Sequence, residues 1–265
     1  LSEQFDGDTS GKGNDTCGQS TVFGFAEYLA EKNHTEPENP YPVHYPDYYN
    51  LERFTWNQVW TYRRLENPKA SPDPSALDVT LQNWGRGNDY AFGYLFKPRD
   101  DARIDVSRDA WAGGLNLNAL REAEYLAYGW HYAYKKMNHT LASRVVLLQE
   151  QIFGTCHGLS KMPYIRDTRR SIGLDRFVMK ISDLTGDWTK GQLTGTVYED
   201  RVALGSYPCD IHSLVGCKYP PYIHQANQTL PYYIPFRALT HYGLSNLLVA
   251  GKTMAQSFLS NAATR

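Results

Sequence analysis

Apolar residues recur at helical spacing between positions 117 and 137. Leu117, Leu120, Ala123, Glu124, Ala127, Tyr128, His131 and Tyr134 fall on one face, which predicts an amphipathic helix. Asn138-His139-Thr140 breaks the pattern. A second helix is predicted over 141–153, with Val145, Val146, Leu148 and Ile152 inward and Gly154 and Gly158 marking its end. Thr21 to Leu29 predicts a short helix with Phe25, Tyr28 and Leu29 together. Phe54 to Leu65, with Trp56, Val59, Trp60 and Tyr62, predicts a buried strand or short helix. Strands are expected at 201–207 and 232–239, and a tight, glycine-supported turn at 81–90. Asn246 to Gly251 reads as a strand running into a turn, and Lys252 to Arg265 as a helix scarcely begun when the chain stops. That ending, with a start that lacks an initiator Met, predicts a fragment or one chain of a processed protein.

The remaining segments are punctuation. Residues 1–20 are rich in Gly, Ser and Asp and read as a loop. Pro37, Pro40, Pro42 and Pro46 stand among tyrosines in an extended surface segment, because proline opposes both helix and central strand. A boundary is expected near 155–162, giving a region 1–160 of helices and loops and a second region 161–265.

Composition narrows the function classes. The net charge of −1 gives no electrostatic reason for nucleic acid or an acidic membrane surface as partner. No apolar run approaches the roughly 18–20 residues of a membrane span. The 20 Tyr, 10 Phe and 6 Trp are many, and tyrosine suits both irregular packed loops and substrate clefts. Asn14, Asn33, Asn138 and Asn227 each begin an Asn-x-Thr sequon, which together argue for a secreted, glycosylated protein. Cys17, Cys156, Cys209 and Cys217 suit that compartment. A Cys209–Cys217 loop with a Cys17–Cys156 pair is one of three possible connectivities. No Cys/His spacing suggests a metal site.

Two phosphate-loop near-misses fail. Gly7 to Gly13 has too few spacers and Gly13 where Ser or Thr should ligate magnesium. Gly85-Arg86-Gly87 has Tyr90 at the third glycine position of a dinucleotide fingerprint. No G-x-S-x-G elbow supports a hydrolase.

Three segments carry more. They are Tyr164-Ile165-Arg166-Asp167-Thr168-Arg169-Arg170-Ser171-Ile172-Gly173, then Asp210-Ile211-His212, then Pro231 to Leu239 followed by Asn246-Leu247-Leu248-Val249-Ala250-Gly251-Lys252 and Ala262 to Arg265. In this order they resemble the C-terminal half of the FAD-dependent oxidoreductase family, with its pattern R-E-x-R-R-x-x-G, D-x-H, P-Y-x-I-P-Y-R-x-L, N-L-L-V-A-G-R and A-x-R. The resemblance is strong over 162–265, weaker over 54–136 and negligible over 1–50. Lys252 stands where the family has Arg, Phe258 where many relatives have His, and Asp167 where Glu is usual.

The resemblance implies an α/β fold: part of a FAD/NAD(P)-binding Rossmann-like domain at 161–265, with an aromatic-rich cap or substrate region at 1–160. It implies FAD as cofactor, a small-molecule substrate of organic or carbohydrate-like type, and an N-terminal Rossmann portion of the same protein as partner. Ala250, Gly251 and Lys252 are the expected flavin contacts, with a helix beginning at Lys252 aimed at the dinucleotide. His212 is the expected proton acceptor, and Arg237 a charge partner for reduced flavin or substrate. Asp210, Arg166 and Arg170 are expected at the substrate, although the arginines also suit a role in bracing the fold. The rival readings are a secreted carbohydrate-binding protein and a polysaccharide lyase or hydrolase on the same scaffold.

Overall fold

The computed structural model describes residues 18–35, 39, 41, 48–49, 51–65, 79–93, 95, 115–166, 171–185, 191–215, 229–257 and 259–264. In chain order its elements are β1 (Gly18–Gln19), β2 (Thr21–Val22), β3 (Phe25–Leu29), α1 (Trp56–Val59), β4 (Arg64–Leu65), β5 (Val79–Gln82), β6 (Asp89–Tyr90) and α2 (Leu117–Tyr134). There follow β7 (Val145–Leu147), α3 (Glu150–Phe153), α4 (Ile181–Thr185), β8 (Arg201–Gly205), β9 (Leu214–Val215), β10 (Tyr232–Pro235), β11 (Thr240–His241) and β12 (Leu244–Leu248). The chain divides into two compact units: Ser20–Ile165, here the aromatic unit, and Leu1–Gln19 with Arg166–Arg265, here the terminal unit.

The aromatic unit is built on an antiparallel sheet ordered β4-β5-β3-β7, with β2 and β6 paired beside it. β3 lies between β5 and β7, so Phe25, Ala26 and Glu27 are all buried. The short helix predicted over 21–29 is therefore two strands. A run buried on both faces has no helical or strand period to read. The helix predicted over 141–153 is also corrected: only Glu150–Phe153 is helical, while Val145 and Val146 pair with Leu29 and Tyr28 of β3. Two β-branched residues in succession suit that pleated surface better than a helix. Gly154 closes α3 in the left-handed conformation, φ 63°, as its sequence position predicted.

α2 spans the periodic segment, and Asn116 caps it by accepting the Ala119 amide at 3.3 Å. Its buried face is corrected: Leu117 is exposed, and Ala119, Leu126 and Trp130 join Ala123, Ala127, His131 and Tyr134 inward. They pack against Phe23, Phe25, Trp56, Val59, Trp60 and Val145. Trp56 and Trp60 stack at 5.4 Å. The Tyr49 hydroxyl donates to Leu126 O at 2.7 Å and crosses the helix at Gly129, where an added Cβ would stand 2.2 Å from that hydroxyl. The turn at 81–90 is held by Asn88, which accepts from Trp84 N and donates to Phe23 O and Gln82 O at 2.7–3.0 Å.

The terminal unit consists of two-stranded antiparallel pairs: β1 with β9, β8 with β10, and β11 with β12. Its core is smaller, formed by Met179, Leu184, Cys209, Tyr232, Ala238, Met254, Ala262 and Ala263. Every pairing between strands among the described residues is antiparallel; one parallel bridge joins Met179 to Gln256. The chain thus has mixed helix and strand content in small sheets. The helix predicted from Lys252 is corrected as well. Gly251–Thr253 and Ser260–Ala262 are separate 3-10 turns, with extended backbone at Met254 between them. Ser257 and Ser260 explain the interruption: Ser260 Oγ donates to Met179 O at 2.9 Å, and Ser257 Oγ accepts from Ser260 N at 3.3 Å. Such side-chain bonds to the backbone compete with a continuous helix.

Candidate functional site

The candidate site lies in the terminal unit, and its framework is the chain's last strand and the turn at its carboxyl end. β11 and β12 pair with Thr240 opposite Leu248, and Val249 N donates to Leu239 O at 2.7 Å. This places Ala250 just past the strand. Gly251 then turns with φ +69°, a conformation that costs glycine little and other residues more. Ala250, Gly251 and Thr253 are exposed, and an added Cβ on Gly251 would meet nothing within 4 Å. Among the described residues the Ala250 and Gly251 amides make no hydrogen bond. The turn is closed from behind by Met254 N to Gly251 O at 3.2 Å and Thr253 Oγ1 to Ala250 O at 3.1 Å.

Lys252 points the other way. Its Nζ donates to Asn261 O at 3.0 Å and Oδ1 at 3.1 Å. Asn261 is fully buried, and its Nδ2 donates to Arg166 O at 2.6 Å. Cys209 Sγ reaches Leu259 O at 3.3 Å, and Asp210 N reaches Ala262 O at 3.4 Å. The stretch 259–263 therefore gathers Arg166, Lys252 and the 209–212 segment around one buried strip. The Lys252 ammonium and backbone atoms of Arg166 and Asp210 meet there. His212 Nε2 lies 3.4 Å from Asp210 Oδ2.

Arg237 stands elsewhere in the unit. It forms a two-pronged pair with Asp200, Nε to Oδ2 at 2.9 Å and Nη2 to Oδ1 at 2.7 Å, and its backbone N donates to Oδ2 at 3.0 Å. Its guanidinium carbon lies 5.4 Å from the Phe177 ring centre and 5.9 Å from that of Tyr198. The hydrogen bonds from Arg237 hold the Asp200 carboxyl at about 2, below its ordinary 3.8. Burial is the first cause that pushes the Tyr198 hydroxyl well above its usual range. The expected role of Arg237 beside an anionic flavin or substrate meets a competitor here, since its charge already faces a carboxylate. Nothing in the sequence around Asp200 signalled that pairing, and nothing around Asn261 signalled its central position.

Arg166 is 3% exposed, so in this structure it belongs to the interior and not to an open substrate surface. Arg170, with Asp167, Arg169 and Phe258, lies outside the described residues. Asn14 and Asn227 do too, whereas Asn33 and Asn138 are exposed, and Asn33 Oδ1 accepts from Ser143 Oγ at 2.8 Å. Among the described residues no disulfide occurs. Cys156 is an exposed free thiol, and the expected partners Cys17 and Cys217 lie outside the description. No helix among the described residues is long and apolar enough to cross a membrane, and no cluster of His, Cys, Asp and Glu is arranged to hold a metal ion.

The family model described as FAD dependent oxidoreductase matches residues 14–265. The chain belongs to that family. Its cofactor is accordingly FAD. No curated protein and no solved structure matches the chain. The residues fit the flavin dinucleotide at one place in particular. The Ala250–Gly251 turn of this FAD dependent oxidoreductase has open space beside its glycine and two amide donors that an anionic diphosphate would accept.

Proposed function

We propose that this FAD dependent oxidoreductase is a flavoprotein oxidase or dehydrogenase acting outside the cell on a small organic or carbohydrate-like substrate. In this reading the terminal unit completes a Rossmann-like flavin site and the aromatic unit is the cap or substrate region. The observation that carries it is the open turn at Ala250–Gly251: it ends a strand, exposes a left-handed glycine, and offers amides that nothing else in the described residues uses. A backbone with no Cβ in the way allows close approach of a cofactor.

Ala250 and Gly251 hold the dinucleotide through backbone amides. Lys252 braces the turn through Asn261 and adds a positive charge behind it. Bound FAD supplies the acceptor for a hydride from the substrate carbon. His212 receives the proton from the substrate hydroxyl or amine, and Asp210 sets a negative charge beside the imidazolium that results. Asp210 also serves substrate binding. Arg170 serves substrate binding where the family pattern places it, whereas Arg166, buried, braces the strip through its carbonyl, which accepts from Asn261 Nδ2.

The outer strands support a partner. β12 is exposed along its whole length, and Leu204 on β8 and Leu248 on β12 are 66% and 61% exposed. Exposed apolar strands of this kind are covered in working proteins. The N-terminal Rossmann portion of the same protein is the cover proposed here, and it brings the glycine fingerprint that 1–265 lacks. The exposed sequon residues Asn33 and Asn138 support the secreted, glycosylated assignment.

Native protein is expected to show flavin absorbance and to release FAD on acid treatment. A folded protein carrying its nucleotide-binding portion, yet colourless and unable to take up added FAD, would refute the reading.

A further inference from the structure

Within the aromatic unit a cavity of about 200 Å³ opens beside α2. Arg121, Glu124, Tyr125 and Tyr128 line it from one helix face, at the i, i+3, i+4 and i+7 spacing that stacks side chains in a row. Tyr41, His157 and Leu159 complete the lining. The Tyr41 ring stacks on Tyr125 at 4.7 Å and lies 4.8 Å from Tyr128, so three rings form one wall. Tyr128 is anchored, its hydroxyl donating to His157 O.

The two charged groups of this cavity, Arg121 and Glu124, make no hydrogen bond or ion pair among the described residues, although one helix turn brings them together. Neighbouring Glu122 is used, accepting the Tyr90 hydroxyl at 2.6 Å. His157 Nδ1 accepts from Leu159 N at 3.1 Å, which puts the ring proton on Nε2 as a donor. A donor-only guanidinium, an acceptor-only carboxylate and an imidazole N–H thus surround one space walled by aromatic rings.

From this arrangement we infer that the cavity binds one pyranose ring of a carbohydrate. The opposite charges of Arg121 and Glu124 cancel, which disfavours a ligand of net charge. A hydroxyl both donates and accepts, so adjacent hydroxyls satisfy both groups at once. The apolar face of a pyranose suits the tyrosine wall. The volume lies below the roughly 300 Å³ at which drug-sized sites begin, which limits the ligand to about one ring. The inference deepens the substrate class of the proposed function, and it rests on that reading only for the redox outcome, not for binding.

The test is calorimetric titration of the full chain with methyl glycosides of the common hexoses and, separately, with free amino acids. At least one methyl glycoside is expected to bind. Its affinity should fall about tenfold or more in Arg121→Ala and in Glu124→Gln, as loss of a charged hydrogen bond implies. Both positions are on the outer part of the helix, so unchanged far-UV circular dichroism and flavin content are expected. Absence of binding by every methyl glycoside, or undiminished binding in both folded variants, overturns the inference. Binding of amino acids in place of glycosides overturns the ligand class. A colourless protein that still binds a glycoside through Arg121 and Glu124 sinks the flavin reading and leaves this one standing.

Discussion

The two units hold themselves together by different means. The aromatic unit buries Trp60, Trp130, Tyr90, Tyr134, Phe23 and Phe25 against a four-stranded sheet and one long helix. The terminal unit has a core dominated by small residues and Met, and instead buries Gln256, Ser257, Ser260, Asn261 and Thr264 in a hydrogen-bonded strip. Apolar burial is insensitive to direction, whereas a buried polar strip is stable only while each group keeps its partner. The aromatic unit also buries Glu27, Gln82, Asn88, Asp89 and His131, so what separates the two is the large aromatic core that the terminal unit lacks. The unit that leaves its strands exposed is the one that also presents the open Ala250–Gly251 turn.

The largest effect that separates the two belongs to Trp130. Trp130→Ala removes a fully buried ring and its 3.2 Å bond to Gln82 Oε1, with a cost of about 3–5 kcal/mol by urea denaturation. A cost under about 1 kcal/mol would mean that the aromatic core is not the element that holds this unit. Next comes Asn261→Ala in the terminal unit. It removes the Oδ1 acceptor of Lys252 Nζ and the Nδ2 donor to Arg166 O at once, while the Lys252 bond to the residue 261 carbonyl stays, and about 2–3 kcal/mol is expected although few apolar atoms are lost. Should this substitution prove as mild as a surface change, the polar strip is not a stabilising element.

The smallest effect is electrostatic. Asp200 titrates lower in the folded protein, about 2 against an ordinary 3.8, because Arg237 hydrogen-bonds its carboxylate. A depressed carboxyl contributes stability above its unfolded value and loses it as pH falls through the folded value. The gap in stability between the natural protein and Asp200→Asn should thus be constant above pH 3.8 and narrow toward pH 2. The pair is partly exposed, so the effect is modest and weakens with salt. Denaturation curves at stepped pH measure it; a gap that does not change with pH contradicts the assignment.

The sequence made some of this legible. α2 announced itself through apolar spacing over five turns, and the strand-to-turn passage into Gly251 through Leu247-Leu248-Val249 before Ala-Gly. β3 did not, because a central strand buried on both faces shows no alternation. Nor did the end of the chain, where Ser257, Ser260 and Asn261 side chains bond the backbone and replace the expected helix by two turns. Asp210 and His212 lie two residues apart, so the family pattern already set them side by side, and the structure keeps them at 3.4 Å. Arg237 with Asp200, and Glu27 with His131 at 104 residues' separation, depend on packing that no local pattern records.

The central claim is that the Ala250–Gly251 turn receives the flavin dinucleotide. Its most direct measurement is the FAD content and FAD affinity of the whole protein beside Gly251→Val. A branched side chain at φ +69° strains the turn and fills the open space beside it, so affinity is expected to fall by about tenfold or more with circular dichroism unchanged. A folded Gly251→Val protein that binds FAD as tightly as its parent would contradict the account.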